Sequence, residues 1–267
     1  MKRLFLGIFA CILCLCACEK AESSADIRTG ELRKTVFALV SSAENSSLDY
    51  AEQYDYIEDI GDGQGYTAGI VGFTSAAGDL LQVVQRYVQA KPTDNALEPY
   101  IPALIAAVGS DTHEGLDESF VQAWKDAAQD SKLIAAENAE VDAVYLNPAV
   151  EAAQEDGLGA LGQYMYYDAL VVHGAGDAQS GFGGMRTEAK QQCDPPAQGG
   201  SESVYLNTFL QVRMAVMEQE AVRPNLSRLE AQQKFLDENN YTLQLPLAWT
   251  MYGDAYQLTQ EKLKEMP

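Results

Sequence analysis

Two acidic residues, Glu44 and Asp62, have neighbouring residues that are compatible with a role in acid–base catalysis. Glu44 follows Phe37 and Val40 at the i, i+3, i+7 spacing, so a helix that buries those two residues carries the carboxyl group on the same face. Partial burial disfavours the charged form of a carboxyl group and helps it to keep the proton that a general acid donates. The simpler alternative, a glutamate that points to solvent at the end of a helix, fits the same periodicity.

Asp62 lies in the glycine-rich run Asp59–Gly65, with Gly61 and Gly63 on either side of it. These glycines permit backbone angles that other residues avoid, and they leave the carboxylate uncrowded. A tight hairpin turn is the commonest use of Asp-Gly. A calcium loop is disfavoured because glycines occupy the alternate positions where oxygen ligands are needed, and a phosphate loop lacks its Gly-Lys-Ser/Thr ending. Two carboxyl groups across a cleft are the minimal apparatus for glycosidic hydrolysis, but these patterns alone do not distinguish that from coincidence.

A second group of charges lies on apolar helix faces. Asp168 belongs to a stripe with Tyr164 and Val171, and Arg213 belongs to a stripe with Phe209. Because an unpaired buried charge is very unfavourable, we expect Asp168 and Arg213 to pair, with Arg228 as a possible third member. Such an ion pair would shape the site without taking part in the chemistry.

The elements that position these residues are mainly helical by periodicity. A first helix is predicted from residue 31, and residues 50–74, rich in glycine, are predicted to form loops with short β-structure. Further helical segments are predicted at 76–91, 97–108, 115–137, 148–173, 202–221 and 227–238. The Gly- and Pro-rich stretches 174–184 and 194–200 are predicted to be irregular connections. The pattern therefore predicts a mainly α domain with a small β-lobe.

The composition excludes several classes of protein. The chain has 267 residues, with 39 Asp and Glu against 18 Lys and Arg, which gives a formal charge of −21. Nucleic-acid binding needs clustered cations, so this balance favours a cationic partner or plain solubility. The mature chain retains only His113, His173 and Cys193 as potential soft ligands, which rules out an internal disulfide and disfavours a zinc site. Neither a nucleotide fingerprint nor a Gly-x-Ser-x-Gly elbow is present, and we expect no cofactor and no metal.

The N-terminus has the layout of an export signal. Lys2 and Arg3 precede an apolar run that is too short to span a bilayer. The run ends in Leu15-Cys16-Ala17-Cys18, which resembles the lipobox of bacterial lipoproteins, with Cys18 as the lipidated residue. We therefore expect a signal peptide at 1–17, a lipid-anchor tether at 18–30 and a catalytic domain at 31–267. The alternative to an exported lipoprotein is ordinary cleavage and secretion into the medium.

Several longer runs carry a family resemblance. The runs Ala43–Tyr50 and Tyr56–Ile70 closely resemble the bacterial chitosanases of glycoside hydrolase family 46, and this block is highly specific. Three later runs agree with the family in order: Tyr167–Gly174, Phe182–Arg186 and Trp249–Asp254. The resemblance implies an endo-acting, inverting hydrolase of chitosan. The implied architecture is a two-lobed, lysozyme-like α+β fold, mainly helical, with a cleft between the lobes.

The resemblance also implies roles for individual residues. It makes Glu44 the proton donor, Asp62 the base that activates water, and Thr67 a residue that helps to hold that water. Positions that match the family's contacts with the sugar chain are Asn45, Tyr56, Asp79, Glu220 and Asp254. Asp168, Arg213 and Arg228 match its buried charge network between the lobes.

One position departs from the family pattern. Gln64 stands where many members have Arg, so a cation is missing beside Asp62 and sugar binding on that side is expected to differ. The implied partners are chitosan or partially acetylated chito-oligosaccharides, whose protonated amines an acidic cleft attracts. We expect a monomer that associates with a membrane only through its N-terminal lipid. The rival hypothesis is a non-catalytic lipoprotein that captures cationic oligosaccharides for uptake.

Overall fold

The computed structural model describes residues 26–220 and 225–267, and for Glu220 it describes the backbone alone. The predicted signal peptide, Cys18 and the first part of the predicted tether lie outside the described residues. Within the described ranges, no helix is both long enough and apolar enough to cross a membrane.

Between residues 26 and 141, the structure shows a small sheet and the helices α1–α5. Helix α1 spans Gly30–Glu44 and is followed by a short 3-10 turn, Tyr50–Gln53. Three short strands form an antiparallel sheet in the order β1-β2-β3: Ile57–Asp59, Tyr66–Ala68 and Phe73–Thr74. Four helices follow: α2 Asp79–Ala90, α3 Ile101–Ala107, α4 Glu118–Ala127 and α5 Ser131–Val141.

The second half begins with a π-helical turn at Asp142–Leu146 that continues α5 directly into α6. Its helices are α6 Asn147–Asp156, α7 Ala160–His173, α8 Phe182–Gln192, α9 Glu202–Glu220, α10 Ser227–Asp237 and α11 Gln260–Glu265. Strands β4 (Leu247–Met251) and β5 (Asp254–Leu258) form a separate antiparallel hairpin.

These elements pack into two groups. Helix α2 packs against α3, α5 and β3, and α4 packs against β1, so α2–α5 and the three-stranded sheet form one lobe. Helices α6–α10 pack against their neighbours, α10 also packs on β4, and α1 packs on α7 and α11, which together form the larger lobe. The π-helical turn contacts α5, α6 and α7 and so joins the lobes. The prediction of a mainly helical fold with a small β-lobe is confirmed.

The folded domain begins earlier than the sequence pattern predicts. Ile27 is fully buried, and its N–H donates to Oε1 of Gln163 in α7 at 3.1 Å. Helix α7 is buried over most of its circumference, and the N-terminal segment at Ile27 packs against it and covers part of its surface. Residues 26–30, predicted to be tether, therefore belong to the domain.

Two predicted helices are each divided in two. The segment 115–137 breaks at Asp130, whose side chain accepts the N–H of Lys132 at 2.9 Å and so starts a new helix. The segment 148–173 breaks at Gly157, which has φ +75° and ends α6 in the left-handed conformation. Buried apolar residues occur on both sides of each break, so the apolar pattern alone does not reveal where one helix ends and the next begins.

Two further elements lie where the pattern predicted none. Helix α8 begins at Phe182, inside the stretch 174–184 that was predicted to be irregular throughout. The β4–β5 hairpin turns at Tyr252 and Gly253, with φ +54° and +98°, which is the geometry of a two-residue turn between antiparallel strands.

A buried glutamate attaches the small sheet to helix α5. Glu137 is fully buried, and its Oε2 accepts the N–H of Ile70 at 3.0 Å. Its Oε1 has no hydrogen-bond partner within the described part of the chain. Gly69, at φ +75°, packs so closely that an added Cβ would lie 2.4 Å from Oε2. Burial raises the pKa of Glu137 well above its ordinary value, against the opposing effect of the Ile70 N–H.

The raised pKa makes stability depend on pH. The folded state keeps a proton on Glu137 that the unfolded state loses, so stability present at acid pH should fall by up to about 1.4 kcal/mol per pH unit above the unfolded pKa. The neutral isostere Glu137→Gln should remove this slope, so its thermal midpoint should match the native one near pH 4.5 and exceed it at pH 8. Glu151→Gln, at an exposed site, is the control. Parallel pH profiles for the native chain and Glu137→Gln would show that the carboxyl group is ionised in the folded state.

Candidate active site

Glu44 is the last residue of α1, and its carboxylate is held by a single arginine. Nη2 of Arg228, from α10, lies 2.5 Å from Oε1 of Glu44. The Glu44 side chain keeps 32% of its surface exposed, whereas that of Arg228 keeps 9%. Glu44 therefore presents a partly exposed carboxylate at the end of a buried charge network.

Arg228 also contacts Asp168, at the centre of that network. Asp168 is fully buried on α7, and its Oδ1 lies 3.0 Å from Nε of Arg228, in a charge contact that lacks hydrogen-bond alignment. Its Oδ2 accepts from Nη1 of Arg213 at 2.6 Å and from Nε2 of Gln232 at 2.7 Å. Burial alone would raise the pKa of Asp168, but the two arginines outweigh it and lower the pKa. Asp168 and Arg213 thus lie in contact, and Arg228 connects them to Glu44.

His173, for which the sequence suggested no role, is hydrogen-bonded to Arg213, on the side of the network away from Glu44. Its Nε2 accepts a hydrogen bond from Nε of Arg213 at 3.2 Å. Burial, with Arg213 adding to it, lowers the pKa of His173 to about 4. The imidazole is therefore neutral at ordinary pH, which lets it accept from a guanidinium.

A cavity of about 480 Å³ opens between the two lobes. Its walls come from the start of α2 and the end of α3 on one side, and from the segment after α7 on the other: Ala77, Gly78, Asp79, Leu81, Gln82, Val108, Gly174 and Ala175. The joining segment supplies Glu140, Val144 and Tyr145. Two carboxylates and several apolar side chains therefore line the same space.

Asp79 is the best-anchored carboxylate of this cavity. Its Oδ1 accepts the N–H groups of Thr74 (2.7 Å) and Leu80 (2.9 Å), which fixes the side chain at the first turn of α2. Oδ2 receives the hydroxyl of Tyr145 at 3.5 Å. Burial raises the pKa of Asp79, although the two backbone donors oppose it. The second carboxylate, Glu140, is paired with Nε of Arg86 at 2.6 Å.

Two tyrosines that sequence reasoning missed lie within the electrostatic field of Glu44. Burial raises the pKa of Tyr145, and Asp79, Glu140 and Glu44 raise it further, so Tyr145 stands within the field of all three carboxylates. Tyr252, at the tip of the β4–β5 hairpin, lies in the field of Glu44 and Arg228 and is 45% exposed. A π-helical turn and a left-handed hairpin turn present these two side chains, and neither backbone feature has a reliable sequence signal.

Asp62 and Thr67 lie together on the β1–β2 hairpin of the small lobe. Asp62 is exposed, and its Oδ1 accepts the N–H of Gln64 at 2.9 Å. The side chain of Gln64 is exposed beside it. Oγ1 of Thr67 is buried without a hydrogen-bond partner among the described residues. An unpartnered buried hydroxyl is a natural site for a bound water.

The other predicted contact residues are spread around both lobes. Asn45 caps the end of α1 and donates from Nδ2 to Oγ of Ser41 at 3.5 Å. The Tyr56 hydroxyl donates to Glu58 at 3.4 Å. Asp254 is exposed at the start of β5, and the side chain of Glu220 lies outside the described residues.

The predicted residues therefore fall into three sets. Glu44, Arg228, Asp168 and Arg213 form one connected network. Asp79 lies on the cavity wall with Tyr145, which donates a hydrogen bond to it. Asp62 and Thr67 share the hairpin of the opposite lobe, and within the described ranges no hydrogen bond joins them to Glu44.

Comparison with known proteins identifies the family. The model of glycosyl hydrolase family 46 matches residues 38–247 of the chain. The chain belongs to this family. The match confirms the resemblance carried by the run from Ala43 to Ile70. A family 46 relative, the chitosanase of Streptomyces sp., is 47% identical over 241 residues, which cover 90% of this chain and 86% of that protein.

Solved structures agree with the family 46 assignment. Chitosanase OU01, co-crystallised with substrate, has a TM-score of 0.84 at 48% identity and covers 88% of this chain and 100% of its own. The chitosanase of Gynuella sunshinyii in complex with chitotetraose has a TM-score of 0.77 at 34% identity, with coverage of 86% and 98%. These family 46 relatives share the mainly helical fold with its small sheet.

The buried network should matter strongly for stability. Arg213→Ala leaves Asp168 buried with one partner fewer, so we expect the free energy of unfolding to fall by about 3 to 5 kcal/mol. Lys234→Ala is a matched control, because it removes an exposed pair with Glu238 on α10 and should change the value by less than about 1 kcal/mol. Denaturant unfolding of the two variants measures both effects. Equal small losses would show that Asp168 does not depend on Arg213.

Proposed function

We propose that the chain hydrolyses β-1,4 glycosidic bonds within chitosan and inverts the anomeric carbon, with Glu44 as general acid and Asp62 as general base. The observation that carries this proposal is the Glu44 carboxylate, which is held by Arg228 and acts electrostatically on Tyr145, in the wall of an inter-lobe cavity that Asp79 and Glu140 also line. The family 46 relatives named above are chitosanases, two of them with substrate or chitotetraose bound, which supports the same substrate for this chain.

The Arg228 contact suits a proton donor. When Glu44 gives its proton to the leaving oxygen, negative charge develops on its carboxylate, and a fixed guanidinium 2.5 Å away stabilises that charge without reorganisation. Asp168 keeps Arg228 in place, and its own charge is balanced by Arg213. In this proposal Asp168, Arg213 and Arg228 act on the reaction through Glu44.

The opposite hairpin suits the attack of water. Asp62 is exposed between positive-φ glycines, so its free Oδ2 has room to accept a proton from a water molecule. The buried, unpartnered hydroxyl of Thr67, from the central strand of the same sheet, supplies a hydrogen-bond partner for that water. An inverting enzyme needs its two carboxyl groups roughly 6.5 to 9.5 Å apart, and residues on two lobes can provide that separation.

The cavity suits a sugar that carries a protonated amine. Two backbone donors hold Oδ1 of Asp79 in place. Its Oδ2 and the Tyr145 hydroxyl are then available to accept hydrogen bonds from a protonated amino group. Glu140 and the net charge of −21 add to the attraction, which salt should weaken. In the same proposal Asn45, Tyr56, Gln64, Glu220 and Asp254 contact the rest of the chain of sugars.

Substitution of each carboxyl group tests the catalytic assignment. Glu44→Gln and Asp62→Asn should each lower the rate of chitosan shortening by about 10²- to 10⁴-fold, the usual range for loss of a general acid or base. Glu52→Gln, at an exposed position in the 3-10 turn between α1 and β1, should leave the rate unchanged. Proton NMR of fresh products should show the α-anomer first, because inversion converts a β-linkage. A β-anomer first, or full activity of Glu44→Gln, would contradict the assignment, and absence of shortening by the native chain would favour the binding lipoprotein.

The Thr67 hydroxyl can be tested with one isosteric change and one change that keeps the hydroxyl. Thr67→Val keeps the shape of the side chain and removes the hydroxyl, so kcat should fall by roughly 10-fold or more with little change in KM. Thr67→Ser keeps the hydroxyl and should retain most of the activity. Equal kcat values for Val and Ser would show that the hydroxyl does not hold the attacking water.

A further inference from the structure

His113 contacts both residues that close the loop carrying Asp62. Asp59 and Tyr66 are directly paired across β1 and β2, so they form the two ends of the loop at residues 60–65. The imidazole ring of His113 stacks on Tyr66, with ring centres 4.4 Å apart and planes 17° apart. Its Nε2 lies 3.2 Å from Oδ2 of Asp59. One side chain from another part of the chain therefore joins both ends of the loop.

The loop itself has few internal restraints. Gly61, Gly63 and Gly65 all have positive φ, a conformation that glycine adopts without strain but that gives the backbone alternatives. Within the loop, Oδ1 of Asp59 accepts the N–H of Gly61 at 2.8 Å, and Oδ1 of Asp62 accepts that of Gln64 at 2.9 Å. Asp59 therefore binds the loop backbone through Oδ1 and contacts His113 through Oδ2.

The segment that carries His113 is anchored independently. It connects α3 to α4, and at its start the N–H of Gly109 donates to the carbonyl of Ala76 at 2.8 Å. At its end the N–H of Leu116, a fully buried residue, donates to the carbonyl of His113 at 2.8 Å. Apart from His113, the segment meets the loop at Gly65, where an added Cβ would lie 3.6 Å from Cα of Asp111. His113 is therefore held by the lobe and can restrain the loop.

We propose that His113 is a positioning residue for Asp62, which fixes the loop 60–65 by joining Asp59 to Tyr66. The inference rests on the proposed role of Asp62 as general base. A base must lie within about 3 Å of the proton that it removes, and a misplacement of 1 Å can lower a rate about 100-fold. His113 touches neither the sugar nor the water in this proposal and acts only through the loop.

The chain offers a closely matched control in Lys91. Its Nζ lies 2.9 Å from Oδ2 of Asp130 and 5.7 Å from the ring centre of Tyr87, so Lys91 also joins an aspartate to a tyrosine. The pair is about as exposed as His113 and Asp59: 32% and 26% for Lys91 and Asp130, against 38% and 39%. It lies between α2 and α5, away from the β1–β2 loop.

The test compares His113→Ala with Lys91→Ala on chitosan, after circular dichroism has established that each variant is folded. We expect His113→Ala to lower kcat about 10-fold with KM changed less than 2-fold, and Lys91→Ala to change neither. His113→Phe keeps the stacked ring and His113→Gln keeps a donor, so each should recover part of the loss. A kcat for His113→Ala equal to that of Lys91→Ala would overturn the proposal.

A double substitution separates positioning from general stability. If His113 acts through Asp62, His113→Ala should lower the residual kcat of Asp62→Asn by less than 2-fold, because the group that it positions is already absent. A further 10-fold loss in that background would overturn the proposal. If Asp62→Asn itself keeps full activity, the assignment of the base fails, and the proposal for His113 fails with it. If Asp62→Asn is impaired and His113→Ala is not, only the proposal for His113 fails.

Discussion

The position of Arg228 between Glu44 and Asp168 is the interaction on which the rest of the site depends. Asp168 is fully buried, so its charge is tolerable only because Arg213 and Arg228 both contact it. Arg228 extends from that buried pair to the partly exposed Glu44. The end of α1 and the start of α10 are therefore tied to the centre of α7 by charge, and the core of the large lobe fixes the position of the Glu44 carboxylate.

The small lobe holds its own part of the site by different contacts. Glu137, whose pKa is raised by burial, fixes the turn after Thr67 to α5, and His113 joins the two ends of the loop that carries Asp62. Helix α5 continues through the π-helical turn into α6, so one continuous run of helix connects the supports of both lobes. The separation of Glu44 on one lobe from Asp62 on the other then depends on this connection, which also places Tyr145 in the cavity wall.

The sequence predicted the charges of the site better than its architecture. Asp168 and Arg213 could be paired because each interrupts an apolar stripe, and a buried charge needs a partner. The contact of Arg228 with Glu44 could not be predicted, since it joins residues 184 positions apart whose helices meet only in the fold. The divided helices followed from Asp130 and Gly157, local signals that the continuous apolar period hid. Tyr145 and Tyr252 were missed because a π-helical turn and a left-handed hairpin turn set their directions.

The central claim is that Glu44, held by Arg228, faces Asp62 across a cleft that receives an amino-sugar chain. A crystal structure of the Glu44→Gln variant with a chitosan oligosaccharide tests it most directly. The account predicts sugars along the cavity of Asp79 and Tyr145, with the side chains of residues 44 and 62 on opposite faces of one glycosidic bond, roughly 6.5 to 9.5 Å apart. An oligosaccharide bound elsewhere, or one that leaves Asp62 on a surface remote from the bond, would contradict it.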